Sequence, residues 1–458
     1  MTLRVSKSAA ADVIAAIATP PGRGGIGIVR VSGADLTPIV LGIVGRPLAP
    51  RVATSAAFRG AEGETLDQGI ALFFPAPASY TGENVLELQG HGGPAVLALV
   101  LKRCLDLGAR LAEPGEFTKR AFLNDKIDLA QAEAVADLIS ATTAAGVRAA
   151  TRSLVGEFSR EVHALLDRLV ELRVFIEATL DFPEEDVDFI RTADIAGKIQ
   201  RLQQTLDGLL ARSRQGRLLL EGLEVVLIGQ PNVGKSSLLN QLVGEDRAIV
   251  TPVAGTTRDA IRSSVEVDGI PLHVIDTAGL RETGDAVEQV GIARAWAEIE
   301  RADLALLITD AREPQHAGDT AIVARLHPTL PRVVVRNKID LAGVQAHRST
   351  IDGIAEIWLS AKTGAGVDLL RQAMLELVGA EENTHDAFLA RERHLRALSA
   401  AREHLALAVT HLHPVSAPAL ELCAEELRQA HDALGEITGA HTADDLLGAI
   451  FSRFCIGK

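Results

Sequence analysis

Hydrophobic and polar positions change their period along the chain, and each change marks a new kind of structure. Up to about residue 120, the apolar runs VIAAIAT, IGIVRVSG, DQGIALFFPAP and NVLELQGHGG are short and cut by Gly/Pro turns. That pattern predicts strands in a mixed α/β domain with many loops. From about residue 125 the period lengthens. Leu154, Phe158, Val162, Leu165, Leu169, Leu172 and Ile176 recur at steps of three and four, one stripe of a long helix. The string DFPEED at 181–186 breaks it, and a second stripe runs through Ile195, Ile199, Leu202, Leu206 and Leu209. The same texture returns at Leu420, Cys423, Leu427, Ala430 and Leu434, while residues 222–378 alternate strands with helices. Neither short helical segment buries much core alone. The simplest architecture is therefore one helical bundle made of two distant segments around an inserted α/β domain. Separate bundles or a coiled coil are the alternatives. The expected limits are 1–124, 125–221, 222–378 and 379–458.

Composition narrows the class. The 458 residues correspond to roughly three domains, and 47% apolar with 23% charged residues exclude wholesale disorder. Aromatics are only 3%, so the cores must be aliphatic and largely helical. Lys and Arg total 46 against 60 Asp and Glu, a net charge of −14, which argues against a freestanding nucleic-acid binder. Any RNA work should be local or shared with a partner. Cys104, Cys423 and Cys455 have no paired spacing, which excludes a disulfide scaffold or structural zinc site and points to a reducing, cytoplasmic compartment. No uncharged apolar run is long enough to span a membrane. Asp12 interrupts the alanine-rich stretch behind Arg4 and Lys7, against a secretion signal.

The chemistry is concentrated in the inserted domain. LEVVLIG runs directly into GQPNVGKSS, so Gly229–Ser236 matches the phosphate loop G-x-x-x-x-G-K-[ST] between a strand and a helix. Backbone N–H groups there wrap phosphates, Lys235 reaches the β/γ-phosphates, and Ser236 offers a hydroxyl to Mg²⁺. IDTAG at 275–279 places Asp276 in the outer shell of that metal and Gly279 where its N–H senses the γ-phosphate. NKID at 337–340 supplies Asp340, whose carboxylate can accept both N–H groups of a guanine edge, with Asn337 and Lys338 bracing it. In LSAK at 359–362, the Ala361 N–H can meet guanine O6. Thr257 in TPVAGTTRD can be the second Mg²⁺ hydroxyl, on a segment that orders around the γ-phosphate. The expected GTP-binding set also takes in Val233, Gly234, Ser237, Thr251, Thr256, Thr277, Ala278, Ser360 and Lys362. Together these segments specify a GTPase. Asp268-Gly269 inside SVEVDGIPLHVID predicts a two-residue hairpin turn.

Two departures from a Ras-like pattern matter. Leu280 stands where a water-orienting Gln is usual, so another residue must position the nucleophile; Glu282, Asp285 and Glu288 are candidates, Arg281 a poor one. Asn232 is either a turn residue or a ligand for a monovalent cation that replaces an arginine finger. A decoy lies at 22–27, where GRGGIG fits a dinucleotide fingerprint; prolines precede it and a strand rather than a helix follows, so a Rossmann reading fails. Cys104 and Cys423 sit in apolar runs and read as core, Cys455 reads as a small apolar helix residue or, if its thiol pKa were lowered, a nucleophile, and His411 and His413 lack a third ligand at zinc spacing.

The strings TPPGRGGIGIVRVSG (19–33), SYTGENVLELQGHGG (79–93), PGEFTKRAFLNDKIDLAQAEAVADLI (114–139), LDFPEED (180–186) and CIGK (455–458), with the inserted GTPase, resemble the tRNA-modification GTPase MnmE (TrmE) family over essentially the whole chain. The resemblance implies an N-terminal tetrahydrofolate-binding-like α/β domain that forms a homodimer, a discontinuous helical bundle, and an inserted Ras-like P-loop G domain. It implies an FAD-dependent partner, MnmG, in a hetero-oligomer, and a carboxymethylaminomethyl or aminomethyl group placed at C5 of the tRNA wobble uridine. The one-carbon donor would be 5-formyl- or 5,10-methylene-tetrahydrofolate, with GTP, Mg²⁺ and K⁺ at the G domain. It implies potassium ligation by Asn232 with the carbonyls of Thr251, Val253 and Thr256, and Mg²⁺ ligation by Ser236 and Thr257. Glu288 would orient the water, and Arg30, Glu83, Lys126 and Lys458 would line the folate pocket. Taken alone, Arg30 reads as a solvated strand charge and Lys458 as a frayed end. A ribosome-assembly GTPase of the Era or EngA type shares Asn232 and the missing Gln, but would carry a basic RNA-binding module; a membrane-remodelling dynamin-like switch would need a lipid-facing element.

Overall fold

The computed structural model describes residues 12–181, 194–243, 262–276, 302–313, 323, 326–327, 330–377, 387–413, 419–440, 444–452, 454 and 457. The chain divides into two compact units, Met1–Ala136 with Leu154–Asp186 and His411–Lys458, and Asp137–Ser153 with Val187–Thr410.

In the first unit, the expected strand runs become β1 (Ile14–Ile17), β2 (Gly24–Gly33), β4 (Thr65–Phe74) and β5 (Asn84–Gly92), joined by β3 (Thr54–Arg59) and the short β6 (Arg110–Leu111). They form one sheet in the order β3-β4-β5-β2-β1-β6. Its pairings are antiparallel except β1 with β6. Alternation along β2 decides which face does what. Val29 and Val31 turn to a core closed by α1 (Thr37–Val44) and α2 (Pro94–Asp106), where Ile39, Ile43, Leu97 and Cys104 pack. Arg30 and Ser32 alternate with them and belong to the face where Ile14 and Ala16 meet Phe117 of α3 (Glu116–Leu123) and Tyr80. The glycine decoy at 22–27 opens a strand, as its sequence context required.

Beyond the sheet, α4 (Leu129–Ser140) contributes Leu129 and Ala132 to a cluster with Leu447, Ile450 and Phe451 of a helix at Asp444–Phe451, and with Phe454. The tail then returns to the sheet. Gly457 is buried at φ +98°, and a Cβ there would stand 2.3 Å from Ile17 O at the end of β1. Only a glycine lets the backbone approach so closely.

From Phe158 the long stripe forms α6 (Glu157–Asp181), with Phe158, Val162, Leu165, Leu169, Leu172 and Ile176 buried, whereas Leu154, read as the head of the same stripe, ends α5 (Ala144–Leu154) before a turn at Gly156 with φ +80°. It packs along a helix at Leu420–Thr438, which buries Cys423, Leu427, Ala430 and Leu434. In the second unit the stripe from Ile195 forms α7 (Ile195–Glu221), tied by Asp207–Arg402 at 2.6 Å and by Arg217–Glu392 to a helix at Glu392–His411. Each of these pairs joins a helix before the insert to one after it. Stripes far apart in sequence are therefore partners, and the two pairs fall in different units.

The inserted domain holds β7 (Leu223–Ile228), β8 (Arg262–Val267), β9 (Ile270–Asp276), β10 (Leu304–Asp310), β11 (Arg332–Asn337), β12 (His347–Ile351) and β13 (Ile354–Trp358) in the order β12-β13-β11-β10-β7-β9-β8. β9, β7, β10, β11 and β13 are parallel, and the outer strands run antiparallel. LEVVLI and LALLIT are nearly continuous apolar runs because both faces of a parallel sheet are covered. Successive residues serve opposite faces: Val225, Leu227, Leu304 and Leu306 meet Leu238 and Leu370, whereas Val226, Ile228 and Ala305 form the other cluster. The Asp268-Gly269 turn has φ +50° and +86°, the two positive values of the turn read from sequence.

Candidate functional site

The phosphate loop leaves β7 at the strand-order switch between β7 and β10, where open α/β sheets hold ligands. It feeds α8 (Lys235–Val243). Lys235 is buried and its Nζ donates to Gly229 O at 2.7 Å, bridging the two ends of the loop. Ser236 and Ser237 are exposed in the first turn of α8, as is Asn232 before it. Asn232 has φ +64°, a left-handed conformation that asparagine tolerates. Gly234 has φ +99°, and a Cβ there would lie 2.3 Å from Asn337 Nδ2. The chain of the loop thus rests directly on the segment expected to read guanine.

Asn337 is the joint. It is 2% exposed at the end of β11, and its Nδ2 donates to Val233 O at 2.7 Å. Its Oδ1 accepts from Lys338 N and Ala361 N, both at 2.8 Å. One side chain therefore links the phosphate loop, the NKID turn and the LSAK loop. Asp340 lies exposed in the short helix α9 (Ile339–Ala342) and accepts from Ser360 Oγ at 2.7 Å. The Ala361 amide was expected to face guanine O6. Here it is directed to Asn337, because that buried oxygen draws donors from both loops, so contact with a base would require sharing or exchanging that bond.

Asp310, at the C-terminal end of β10, was not singled out from sequence. Its carboxylate accepts from Lys338 Nζ at 3.0 Å and from Arg312 Nε and Nη2 at 3.0 and 2.7 Å. The hydrogen bonds of Arg312, with Lys338 adding to them, hold its carboxyl well below the ordinary carboxylate range. The available signal was position: Asp310 is the first charged residue after LALLIT, at the end of the sheet where ligands bind.

Asp276 ends β9, beside Leu227 of β7. Thr251, Val253, Thr256, Thr257, Thr277, Ala278, Gly279, Leu280, Glu282, Asp285, Glu288, Cys455 and Lys458 lie outside the described residues.

A second polar site occupies the other unit. Arg30 is not a solvated strand charge: its Nε and Nη2 donate to Glu87 Oε1 at 3.0 and 2.9 Å, and its guanidinium carbon lies 5.4 Å from the centre of the Tyr80 ring and 5.8 Å from that of Phe117. Glu83 accepts from Ser32 Oγ at 2.8 Å, and Ser32 stands two positions along β2 on the same face as Arg30. Lys126 Nζ donates to Pro77 O at 3.1 Å, and Asn124 Nδ2 to Thr81 O at 2.8 Å, drawing that segment onto the loop that carries Glu83. Arg30, Glu83 and Lys126 thus converge on the 77–83 loop and its flanking strand. Gly457 rests on β1, the neighbour of β2.

Arg120 of α3 was missed and gave no signal in a single sequence. It is 4% exposed, and its Nη1 reaches both Glu83 oxygens at 3.2 and 3.1 Å while its Nη2 reaches Glu116 Oε1 and Asp12 Oδ1, each at 3.0 Å. Burial raises the Glu116 carboxyl, but hydrogen bonds from Arg110, the Glu113 amide and Arg120 outweigh it, leaving it below its ordinary value. Cys104 and Cys423 are buried core residues, and burial pushes their thiols up to about 12 and about 11. No helix among the described residues is long and apolar enough to cross a membrane.

Comparison with known proteins spans both units. Residues 129–455 match the family model of the MnmE helical domain, and residues 13–126 match that of the GTP-binding protein TrmE N-terminus. The tRNA modification GTPase MnmE of Dechloromonas aromatica is 59% identical, covering 98% of this chain and 99% of its own. That of Chromobacterium violaceum is 57% identical over 97% and 98%, and that of an Azoarcus species 58% identical over 98% of each. Two solved structures align with parts of the chain at TM-scores of 0.25 and 0.28. They are the FeoB G-domain of Methanococcus jannaschii (29% identity, 34% of this chain, 97% of that one) and Aquifex aeolicus Era bound to GDP·AlF4⁻ (26%, 40% and 67%). With near-full-length relatives and both flanking domains matched, the chain belongs to the MnmE family of tRNA modification GTPases, GTP hydrolases that act in tRNA modification.

Proposed function

We propose that this chain is a potassium-activated GTPase that works with an FAD-dependent MnmG partner to place a carboxymethylaminomethyl or aminomethyl group at C5 of the tRNA wobble uridine, taking one carbon from 5-formyl- or 5,10-methylene-tetrahydrofolate. The observation that carries the reading is the pairing of two separate sites in one chain: a phosphate loop locked to the NKID and LSAK loops through Asn337, and a convergent set of Arg30, Glu83 and Lys126. The domain limits proposed are 1–124 for a folate-binding, dimerising domain, 125–221 and 379–458 for the helical domain, and 222–378 for the G domain. The active form is a cytoplasmic homodimer within a hetero-oligomer with MnmG.

At the G domain, the phosphate-loop amides and Lys235 bind the triphosphate, and Asp340 with Lys338 reads guanine. Ser236, exposed at the start of α8, with Thr257 would hold Mg²⁺, which neutralises charge on the phosphates. The exposed amide of Asn232, in its left-handed turn, would hold K⁺ together with the Thr251, Val253 and Thr256 carbonyls; the ion would supply the positive charge that an arginine finger supplies elsewhere. Glu288 orients the attacking water. In the first unit, cations among Arg30, Lys126 and Lys458 suit glutamyl carboxylates, and Glu83 suits the N–H edge of a pterin. GTP turnover times this chemistry rather than supplying its carbon.

The test compares GTP turnover in K⁺ and Na⁺ and measures folate binding by the purified chain. Turnover that falls sharply in Na⁺, with folate retained, supports the reading. Equal rates in both salts refute the cation assignment, and absence of folate binding refutes that of the first unit.

A further inference from the structure

Asp310 has no part in the assignments above, yet it is the most strongly paired carboxylate at the nucleotide end of the G-domain sheet among the described residues. It stands directly opposite Asn337 in the β10–β11 register, and Ala311 N donates to Asn337 O at 2.7 Å, so the two strand ends are fixed against each other. Lys338 follows with φ +68°, a left-handed conformation that costs a lysine energy unless its surroundings impose it. From that position its Nζ reaches back across the strand ends to Asp310 Oδ2 at 3.0 Å. Its side chain therefore runs from the end of β11 to the end of β10, beside Asn337, whose amide holds the phosphate loop at Val233 O. On the reading of Asp340 as the guanine contact, a purine with its phosphates in the loop would lie against this side chain. Arg312, chelating the same carboxylate through two nitrogens, keeps Asp310 ionised and in place.

We propose that Asp310 is a positioning residue of the guanine site: its carboxylate anchors Lys338 Nζ and so holds the lysine stem as the flat apolar floor under the base, with Arg312 as its counter-ion. The proposal rests on the reading of Asp340 as the guanine contact. Asp310 touches no nucleotide atom itself and acts through Lys338. An unanchored lysine regains rotamer freedom that base binding must then remove. Removing the carboxylate thus weakens binding of GTP and GDP alike and leaves the chemical step unchanged, raising KM with kcat held.

The experiment is a double-mutant cycle in the full-length chain, reading the GDP Kd by titration calorimetry and the GTP kcat and KM. Asp310→Ala should raise the GDP Kd and the GTP KM about tenfold, as expected for a freed lysine stem, with kcat within about twofold of the parent. In a Lys338→Met background, which keeps the stem and deletes the charge, the same change should alter Kd less than about twofold, since the pathway through the ammonium is gone. Asp310→Asn keeps the shape and one acceptor, so it should fall between, and melting curves show whether either variant is folded. Parent-like GDP affinity in a folded Asp310→Asn and Asp310→Ala would overturn the proposal, as would equal losses with and without the Lys338 ammonium. Asp340→Asn separates the two ideas. If it leaves guanine over xanthine preference intact, the guanine-site reading fails; if it shifts preference while Asp310 variants bind normally, only the anchoring role fails.

Discussion

Replacing Asn337 by alanine removes the three hydrogen bonds through which one buried amide joins the phosphate loop, the NKID turn and the LSAK loop. A typical intramolecular bond contributes about 1 kcal/mol net, so the set is worth about 3 kcal/mol, before the cost of leaving Val233 O and Ala361 N without this partner. Two of the three bonds hold loops that would grip opposite ends of a nucleotide. If about half of the total falls on binding, GDP affinity drops about tenfold, since about 1.4 kcal/mol is one decade. The remainder falls on folding and should lower the melting temperature of the nucleotide-free chain. Calorimetric titration of GDP and melting curves with and without GDP divide the two. Asn337→Asp keeps the acceptor for the two amides but loses the donor to Val233 O, and should give an intermediate loss. If Asn337→Ala changes neither GDP affinity nor melting temperature beyond error, the joint does not hold the site together and the reasoning fails.

Gly234→Ala forces a side chain into φ +99° and a Cβ to within 2.3 Å of Asn337 Nδ2, so nucleotide binding should be lost with the sheet still folded, as read by GDP titration beside circular dichroism. Glu288→Ala should leave GTP affinity intact while cutting single-turnover hydrolysis by about 100-fold or more; wild-type hydrolysis would return Glu282 or Asp285 to contention. Arg120→Met strands Glu83 and Glu116 without their buried cation and should destabilise the chain by about 3 kcal/mol, measured by urea melts. Because the Glu116 carboxyl is held below its ordinary value of 4.5, its contribution to stability is full above that pH and disappears as the pH falls through the lowered folded value. The parent melting temperature should therefore drop as the pH falls below about 4.5, and Arg120→Met should lessen that drop, with Arg110 and the Glu113 amide still holding the carboxyl down.

What the sequence disclosed, and what it concealed, follows from which forces act locally. Periodicity located α6 and α7 because a long stripe must face a core, and Phe158, Val162, Leu165 and Ile176 are buried as that stripe requires. It could not say which helix each stripe meets, since the helices that carry Phe158 and Leu427 come together only through tertiary packing. Asp268-Gly269 announced the β8–β9 hairpin, and Asp352-Gly353, with φ +51° and +78°, announced the β12–β13 hairpin just as clearly. HRSTI before that second turn is an exposed, polar edge strand with no apolar face to mark it as a strand. The phosphate loop was legible because its backbone geometry demands glycines at fixed offsets. Asn337 was legible as a brace, but its three partners come from three loops and no spacing connects them. Arg120 was illegible for the same reason, and position marked Asp310 but not its partners: a charged residue discloses its partner only when the fold brings the opposite charge to it.

The function proposed above has GTP turnover time a folate-dependent modification of tRNA made with MnmG. It is tested most directly by incubating the chain with MnmG, tRNA, tetrahydrofolate donor and GTP in K⁺, followed by mass analysis of the nucleosides. The account predicts a modified wobble uridine that is lost with a non-hydrolysable GTP analogue, with Glu288→Ala, or without folate. A modified uridine formed at full yield under any of those three conditions would contradict it.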